Sequence, residues 1–325
     1  MREDLLKEIE MEYEQVRIQN ERTEVSRKER IRQEQPEIFA LIRQREELIF
    51  GTLRDILAQK AEASGLSERM EQLSAAIREK LTENGYPEDY LFPIYRCPVC
   101  RDRGYTGEPI REPCACLKKA YQEKLRQSIG LSSVKKESFE TFDLSVFSTE
   151  KLPGRTFSQR EYMGKIRKDC EEWADTYPDS FCRDLVLSGK AGLGKTFLLR
   201  AMAERLIERD INVVIVSAYR LIDMVRKDYF SGENQAKDLA EADVLMIDDL
   251  GSEPLMQNVT VEQLFNLLNE RQNRGLSTVI STNLDISEFR SRYTERIASR
   301  IRDREHCKIL NLEGKDIRAG GFSRE

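Results

Sequence analysis

DLVLSGKAGLGKT, running from Asp184 to Thr196, decides how the rest of the chain is read. A short apolar run (Leu185, Val186, Leu187) delivers Gly189, and Gly189-x4-Gly194-Lys195-Thr196 completes a phosphate-binding loop. Gly189, Gly192 and Gly194 permit backbone angles and a close approach that a Cβ would forbid. Successive N–H groups of the loop, with the positive end of a helix starting near Lys195, then face phosphates. The expected nucleotide contacts run through Gly189, Lys190, Ala191, Gly192, Leu193, Gly194, Lys195, Thr196 and Phe197. Lys195 should reach the β- and γ-phosphates, and the Thr196 hydroxyl should sit on Mg²⁺. An apolar strand before and a helical run after (FLLRAMAERLIER) supply the context the motif demands, so a chance glycine loop is set aside. The stretch predicts a bound nucleoside triphosphate.

Downstream, INVVIVSA reads as a buried parallel strand, and Tyr219 to Tyr229 as a helix. Ala240 to Asp249 is a second buried strand ending in two acids, the Walker B arrangement. Asp248 should hold Mg²⁺ through water, and Asp249 should orient or deprotonate the attacking water. A helix (VEQLFNLLNERQNRG) then leads to a strand from Leu276 to Asn283. Asn283 carries a donor and an acceptor, so it can touch a phosphate oxygen and the water together; a capping Asn is the plainer alternative. FRSRYTERIASRIRDRE gathers Arg290, Arg292, Arg296, Arg300, Arg302 and Arg304 into one helical stretch. Arg292, Arg296 and Arg300 recur every four residues and should share a face. Planar, permanently charged guanidiniums suit a transition-state phosphate. A last strand (CKILNL) and Arg318 follow.

Upstream, Leu5, Leu6, Ile9, Tyr13 and Val16 keep helical spacing among Glu and Arg, and Pro36 ends that helix or opens the next. Ile38, Ile42, Ile49 and Ile56 stripe a second helix; Met70, Leu73, Ile77 and Leu81 stripe a third that stops at Asn84-Gly85. These faces read as the seam of a small bundle, or as an arm that grips partner helices. Cys97-Pro-Val-Cys100 and Cys114-Ala-Cys116 form two close pairs separated by a short loop, which matches a structural Cys₄ zinc site with no open position. A redox pair is the alternative, although it would not need the second Cys pair. Cys170 and Cys182 look incidental, and Cys307 packs in a strand. Phe139, Phe142 and Phe147 read as core anchors, one of which can reach an adenine. Expected boundaries are 1–92 helical, 93–130 cysteine unit and following helix, 131–180 linker and lead-in helix, and 181–325 ATPase domain.

Across 325 residues the formal net charge is −5, which argues against global charge-driven nucleic-acid binding and leaves local basic faces. Tyr219, Arg220, Arg226, Lys227 and Tyr229 are the candidates for such a face. No apolar run approaches the ~18 residues a membrane helix needs. MREDLLKEIE lacks a signal peptide's basic and apolar regions, so a cytoplasmic location is expected, with seven cysteines serving as thiols and metal ligands.

GKAGLGKT, VLMIDDLGSE, STN and ERIASRI, in this order, resemble the AAA+ ATPases of the bacterial helicase-loader group. That group includes the DnaC and DnaI loaders and the related IstB transposition helpers. The resemblance covers roughly residues 135–320. It implies an α/β fold, a P-loop core with a parallel five-stranded sheet between helices. It also implies Asn283 as sensor 1, an arginine finger within Arg296 to Arg300 with Arg300 preferred, and Arg318 as a sensor 2 candidate. Asp249, where many AAA+ proteins have Glu, implies slow, switch-like turnover. A helical segment followed by a cysteine unit resembles the helicase-binding domain of DnaI-type loaders, although ligand spacing and helical length differ. The implied function is ATP-dependent loading of a hexameric DnaB-type helicase onto single-stranded DNA, with ATP-dependent self-association. An IstB-like helper of a transposase is the alternative.

Overall fold

A computed structural model describes residues 2–57, 66–131, 137–231, 236–254, 260–301, 303 and 305–318. Contacts divide the chain into one unit of Leu6–Leu117 and another of Met1–Leu5 with Lys118–Glu325. The division falls between Leu117 and Lys118, within the segment expected over 93–130. Phe139, Phe142, Phe147, Met163, Ile166 and Trp173 are buried in one cluster with Leu198 and Leu199, so residues 137–180 contribute core to the second unit.

The first unit is built on α1 (Arg2–Glu34), α2 (Pro36–Leu57) and α3 (Leu66–Glu83). Pro36 takes the first helical position, where its missing N–H costs nothing. Ile31, Ile38, Ile42, Ile77 and Leu81 close into a small buried cluster. Of the two readings of this stripe, the bundle seam holds for Ile38 and Ile42, which the bundle's own helices cover; the side chain of Ile56 lies outside the described residues. The exposed apolar residues of α1 are instead Met11, Ile18 and Val25, seven residues apart. After α3 come β1 (Tyr105–Thr106), its antiparallel partner β2 (Glu112–Pro113), and α4 (Ala115–Ser128).

In the second unit, α5 (Gln159–Thr176) starts at a capping box: the Ser158 hydroxyl accepts the Glu161 N–H while the Glu161 carboxylate accepts the Ser158 N–H at 2.7 Å. Trp173 is buried on it and donates through Nε1 to the Cys182 carbonyl at 2.8 Å. The chain then alternates through β3 (Asp184–Ser188), α6 (Lys195–Glu208), β4 (Val213–Ser217), α7 (Ala218–Ser231), α8 (Lys237–Glu241), β5 (Val244–Leu250), α9 (Thr260–Asn273), β6 (Ser277–Thr282), α10 (Ile286–Ile301) and β7 (Cys307–Asn311). All five strands are parallel, in the order β4-β5-β6-β3-β7. Strand side chains alternate between faces: Leu185, Leu187 and Met246 join the cluster under α5 and α6, while Val186, Leu245 and Ile247 join that under α7, α9 and α10. The expected α/β sheet between helices is what the chain forms. No helix among the described residues is long and apolar enough to cross a membrane.

One element departs from its sequence pattern. Thr294, at φ 71° and ψ 159°, breaks α10 in a region ordinarily left to glycine. Arg292 precedes the break and Arg296 and Arg300 follow it, so the three do not share one uninterrupted face. Arg302 and Arg304 lie outside the described residues.

Candidate functional site

The carboxyl ends of β3, β5 and β6 converge, which is where ligands bind in open parallel sheets. At the end of β3, Gly189 has φ 154°, Gly192 φ 76° and Gly194 φ 85°, the last directly before α6. A Cβ on Gly189 would meet the Leu312 carbonyl oxygen at 2.4 Å, so only glycine fits. Lys195 is 7% exposed, and its Nζ donates to the carbonyls of Gly189 (2.5 Å) and Lys190 (2.8 Å) and to Asn283 Oδ1 (2.7 Å). Burial pulls its pKa down, Asp249 and Asp248 pull it up, and Arg318 lowers it further. Lys195 therefore sits in a field set by all three residues.

The acids are held as firmly. Thr196 Oγ1 donates to Asp248 Oδ1 at 3.1 Å, and Ser281 Oγ donates to the same oxygen at 2.6 Å. β5 and β6 lose register between Ile247 and Leu250, and Asp249 within that bulge has φ 59°. Its N–H donates to Ser281 Oγ at 2.8 Å, and Asn283 Nδ2 donates to its Oδ1 at 2.5 Å. Asn283 thus bridges Lys195 and Asp249, a stronger role than a capping Asn. Phe197 meets Phe142 edge to face at 5.3 Å between centroids, and Phe142 also lies 3.6 Å from where a Gly194 Cβ would stand. The three phenylalanines at 139, 142 and 147 are buried, as core anchors.

After β7 the chain crosses back over the loop. Gln159 holds it with bonds to the Lys315 carbonyl (3.0 Å) and N–H (3.1 Å), and the Ile317 N–H donates to the Gly192 carbonyl at 3.0 Å. The Asp316 carboxylate lies against Gly192, and Arg318 is exposed with its Nε 3.5 Å from Asp316. Ser281, Gln159 and Asp316 were not singled out from sequence. Only Ser281 had a signal, two residues before Asn283 on the strand beside Walker B.

The arginines separate. Arg300 donates to Gln272 and Asn269 and lies 5.0 Å over the Phe265 ring. Arg296 is exposed. Among the DNA-facing candidates, Tyr219 and Arg220 are exposed at the start of α7, whereas Arg226 and Lys227 both pair with Asp223 at 2.8 and 2.9 Å. The Tyr229 side chain lies outside the described residues.

In the first unit the sulfurs of Cys97, Cys100, Cys114 and Cys116 all lie within 4.8 Å of one another. Cys97 and Cys114 are 3.9 Å apart and Cys100 and Cys116 3.4 Å, near the spacing of four sulfurs each about 2.3 Å from one tetrahedral ion. Buried Asp102 braces the first pair, accepting the N–H groups of Arg96 (2.9 Å) and Cys97 (2.7 Å). Backbone donors around Cys100 pull the Cys97 thiol down to about 7, while burial pushes Cys116 up to about 12. The four-sulfur donor set fits zinc, which would hold all four as thiolates. Cys170, Cys182 and Cys307 are buried, with thiols pushed up by burial.

Residues 168–322 match the family of IstB-like ATP binding proteins. Over a longer span the chain is similar to the replicative helicase loader DnaI of Bacillus subtilis (strain 168): 25% identical over 302 residues, 88% of this chain and 86% of that protein. It is 30% identical over 146 residues to the replicative helicase loader DnaC of Buchnera aphidicola subsp. Acyrthosiphon pisum, 42% of this chain and 57% of that protein. A crystal structure of DnaI aligns with 60% of this chain and 98% of its own at 25% identity and a TM-score of 0.44. The chain resembles the DnaC/DnaI loaders and carries an IstB-like ATP-binding domain.

Proposed function

We propose that this chain is an ATP-hydrolysing AAA+ protein that loads a hexameric DnaB-type helicase onto single-stranded DNA in the cytoplasm, with ATP as a slow switch. The observation that carries this reading is the extent of the similarity. At 88% of this chain, the alignment with the DnaI loader reaches into the unit that bears the four cysteines, whereas the IstB-like match begins at residue 168. The second reading, an ATPase helper of a transposase, is favoured by that shorter match alone.

In this reading the loop N–H groups and Lys195 hold the phosphates. Thr196 and Asp248 are the residues that would hold Mg²⁺, which neutralises phosphate charge when bound. Asp249, aimed by Asn283 and Ser281, orients the attacking water and accepts its proton. Arg296, rather than Arg300, serves a neighbouring chain's nucleotide, because Arg300 is already bonded to Asn269 and Gln272 and stacked on Phe265. That role requires ATP-dependent self-association. Arg318 adds positive charge from the C-terminal crossing. Cys97, Cys100, Cys114 and Cys116 would hold Zn²⁺, which supplies folding energy to a unit with a small core. Stacking on Tyr219 with phosphate contacts to Arg220 gives sequence-independent DNA affinity. Met11, Ile18 and Val25 offer the helicase a one-sided apolar stripe on α1.

Co-elution of the full chain with a DnaB-type hexamer tests the reading. Ile18→Glu with Val25→Glu should abolish co-elution and leave ATP binding intact. A chain that ignores the helicase and instead associates with a transposase on duplex DNA would establish the second reading.

A further inference from the structure

The residues just after the Walker B acids are tied to the arginine helix by a buried carboxylate. Glu253 is 1% exposed. Its Oε2 accepts the Gly251 N–H at 2.8 Å, and its Oε1 accepts the Tyr293 hydroxyl. Arg292 donates through Nη2 to the Glu253 carbonyl, while its Nε, buried with no hydrogen-bond partner among the described residues, lies 3.7 Å from Glu253 Oε1. A buried carboxylate is costly unless paired, so a position that needed only filling would carry an apolar residue.

What Glu253 joins gives the clamp its direction. On one side stands the turn after Asp249, where Ser252 donates its N–H to the Asp249 carbonyl at 3.2 Å. On the other stand Arg292 and Tyr293, the last residues of α10 before the break at Thr294. Both flanks carry a non-glycine residue at positive φ, Asp249 at 59° and Thr294 at 71°. Such conformations persist only where surrounding contacts over-determine them. Beyond the break, the half-helix that ends at Ile301 presents exposed Arg296.

We propose that Glu253 is a positioning residue that links the turn after Asp249 to Tyr293 and Arg292, and so fixes where the half-helix beyond Thr294 presents Arg296 to a neighbouring chain. The inference rests on the role of Arg296 across a subunit boundary proposed above. A change at Glu253 should therefore damage the chain as a donor of arginine and spare it as an acceptor of ATP.

Mixed-chain ATP hydrolysis with full-length variants separates the two. Glu253→Gln, or Tyr293→Phe should the first variant fold poorly, should bind ATP within about twofold of the parent and turn over about tenfold more slowly, the scale of residues that act through others. Mixing either with Lys195→Ala should restore hydrolysis, because the Lys195→Ala chain still donates its arginine to an intact ATP site. Mixing either with Arg296→Ala should restore nothing, because both chains are failed donors. The reverse pattern, rescue by Arg296→Ala and none by Lys195→Ala, would overturn the inference by placing the defect at Asp249 of the same chain. Unchanged turnover would overturn it as well. If Arg296→Ala and Lys195→Ala fail to complement each other, the subunit-boundary reading itself is wrong, and this inference falls with it.

Discussion

The nucleotide site hangs its acids on the end of a parallel strand and Lys195 on the start of α6, above a sheet buried on both faces. The cysteine unit hangs its four sulfurs on the turn around Cys97–Cys100 and on the start of α4, beside a hairpin of two-residue strands. In the first, the polar groups are one another's partners: Lys195 with Asn283, Asn283 with Asp249, Thr196 and Ser281 with Asp248. In the second, the four sulfurs lie close to one another, with the Gly104 N–H donating to Cys100 Sγ at 3.4 Å. On the function proposed above, one region holds its site together through its own side chains, whereas the other would be held together by zinc.

The largest expected effect breaks that comparison if it fails. One Zn²⁺ per chain should be found by elemental analysis of protein purified without chelator. Its removal should unfold the region around residues 95–118, since zinc thiolate binding supplies about 10–16 kcal/mol to small sites of this kind. ATP binding should survive the same treatment. Protein free of zinc with hydrogen exchange around residues 95–118 unchanged by chelator would remove the distinction between the two regions.

At the nucleotide site the expected effects are chemical. Asp249→Asn should keep ATP affinity and lose on the order of 10²–10⁴ in turnover, the usual contribution of a positioned base. Lys195→Ala should weaken ATP binding roughly 100-fold, about 3 kcal/mol for a lost charge-assisted contact, without loss of the fold. Equal turnover in both variants and the parent would remove these assignments. Ser281→Ala sharpens the picture at the smallest scale. It removes a hydroxyl that donates to Asp248 and accepts from Asp249, so turnover should fall about tenfold, near the 1–1.5 kcal/mol of one hydrogen bond. A variant as active as the parent would show that the bulge aims Asp249 unaided.

Much of the P-loop unit was legible because its signals are local. Glycines at fixed offsets, β-branched runs and acids at a strand end each report a backbone requirement within a few residues. The cysteine pairs were legible for the same reason. What escaped depends on contacts far apart in sequence. The break at Thr294 follows residues anchored to Glu253, some forty positions away, and nothing in ERIASRI reports that anchor. The periodicity of Ile38 and Ile42 correctly marked an apolar face, but periodicity does not say what covers a face, and here Ile31, Ile77 and Leu81 do. Arg296 and Arg300 look alike in sequence, and only the partners on α9 tell them apart.

The most direct test of the account is transfer of a DnaB-type hexamer onto a single-stranded DNA circle by the full chain, read as helicase retained on DNA after a salt wash. The account predicts transfer by the zinc-loaded parent with ATP. It predicts loss of transfer on chelation, even though ATP still binds, and loss in the Lys195→Ala variant, even though the helicase still binds. Transfer that is indifferent to both treatments, or absent from the zinc-loaded parent with ATP, would contradict it.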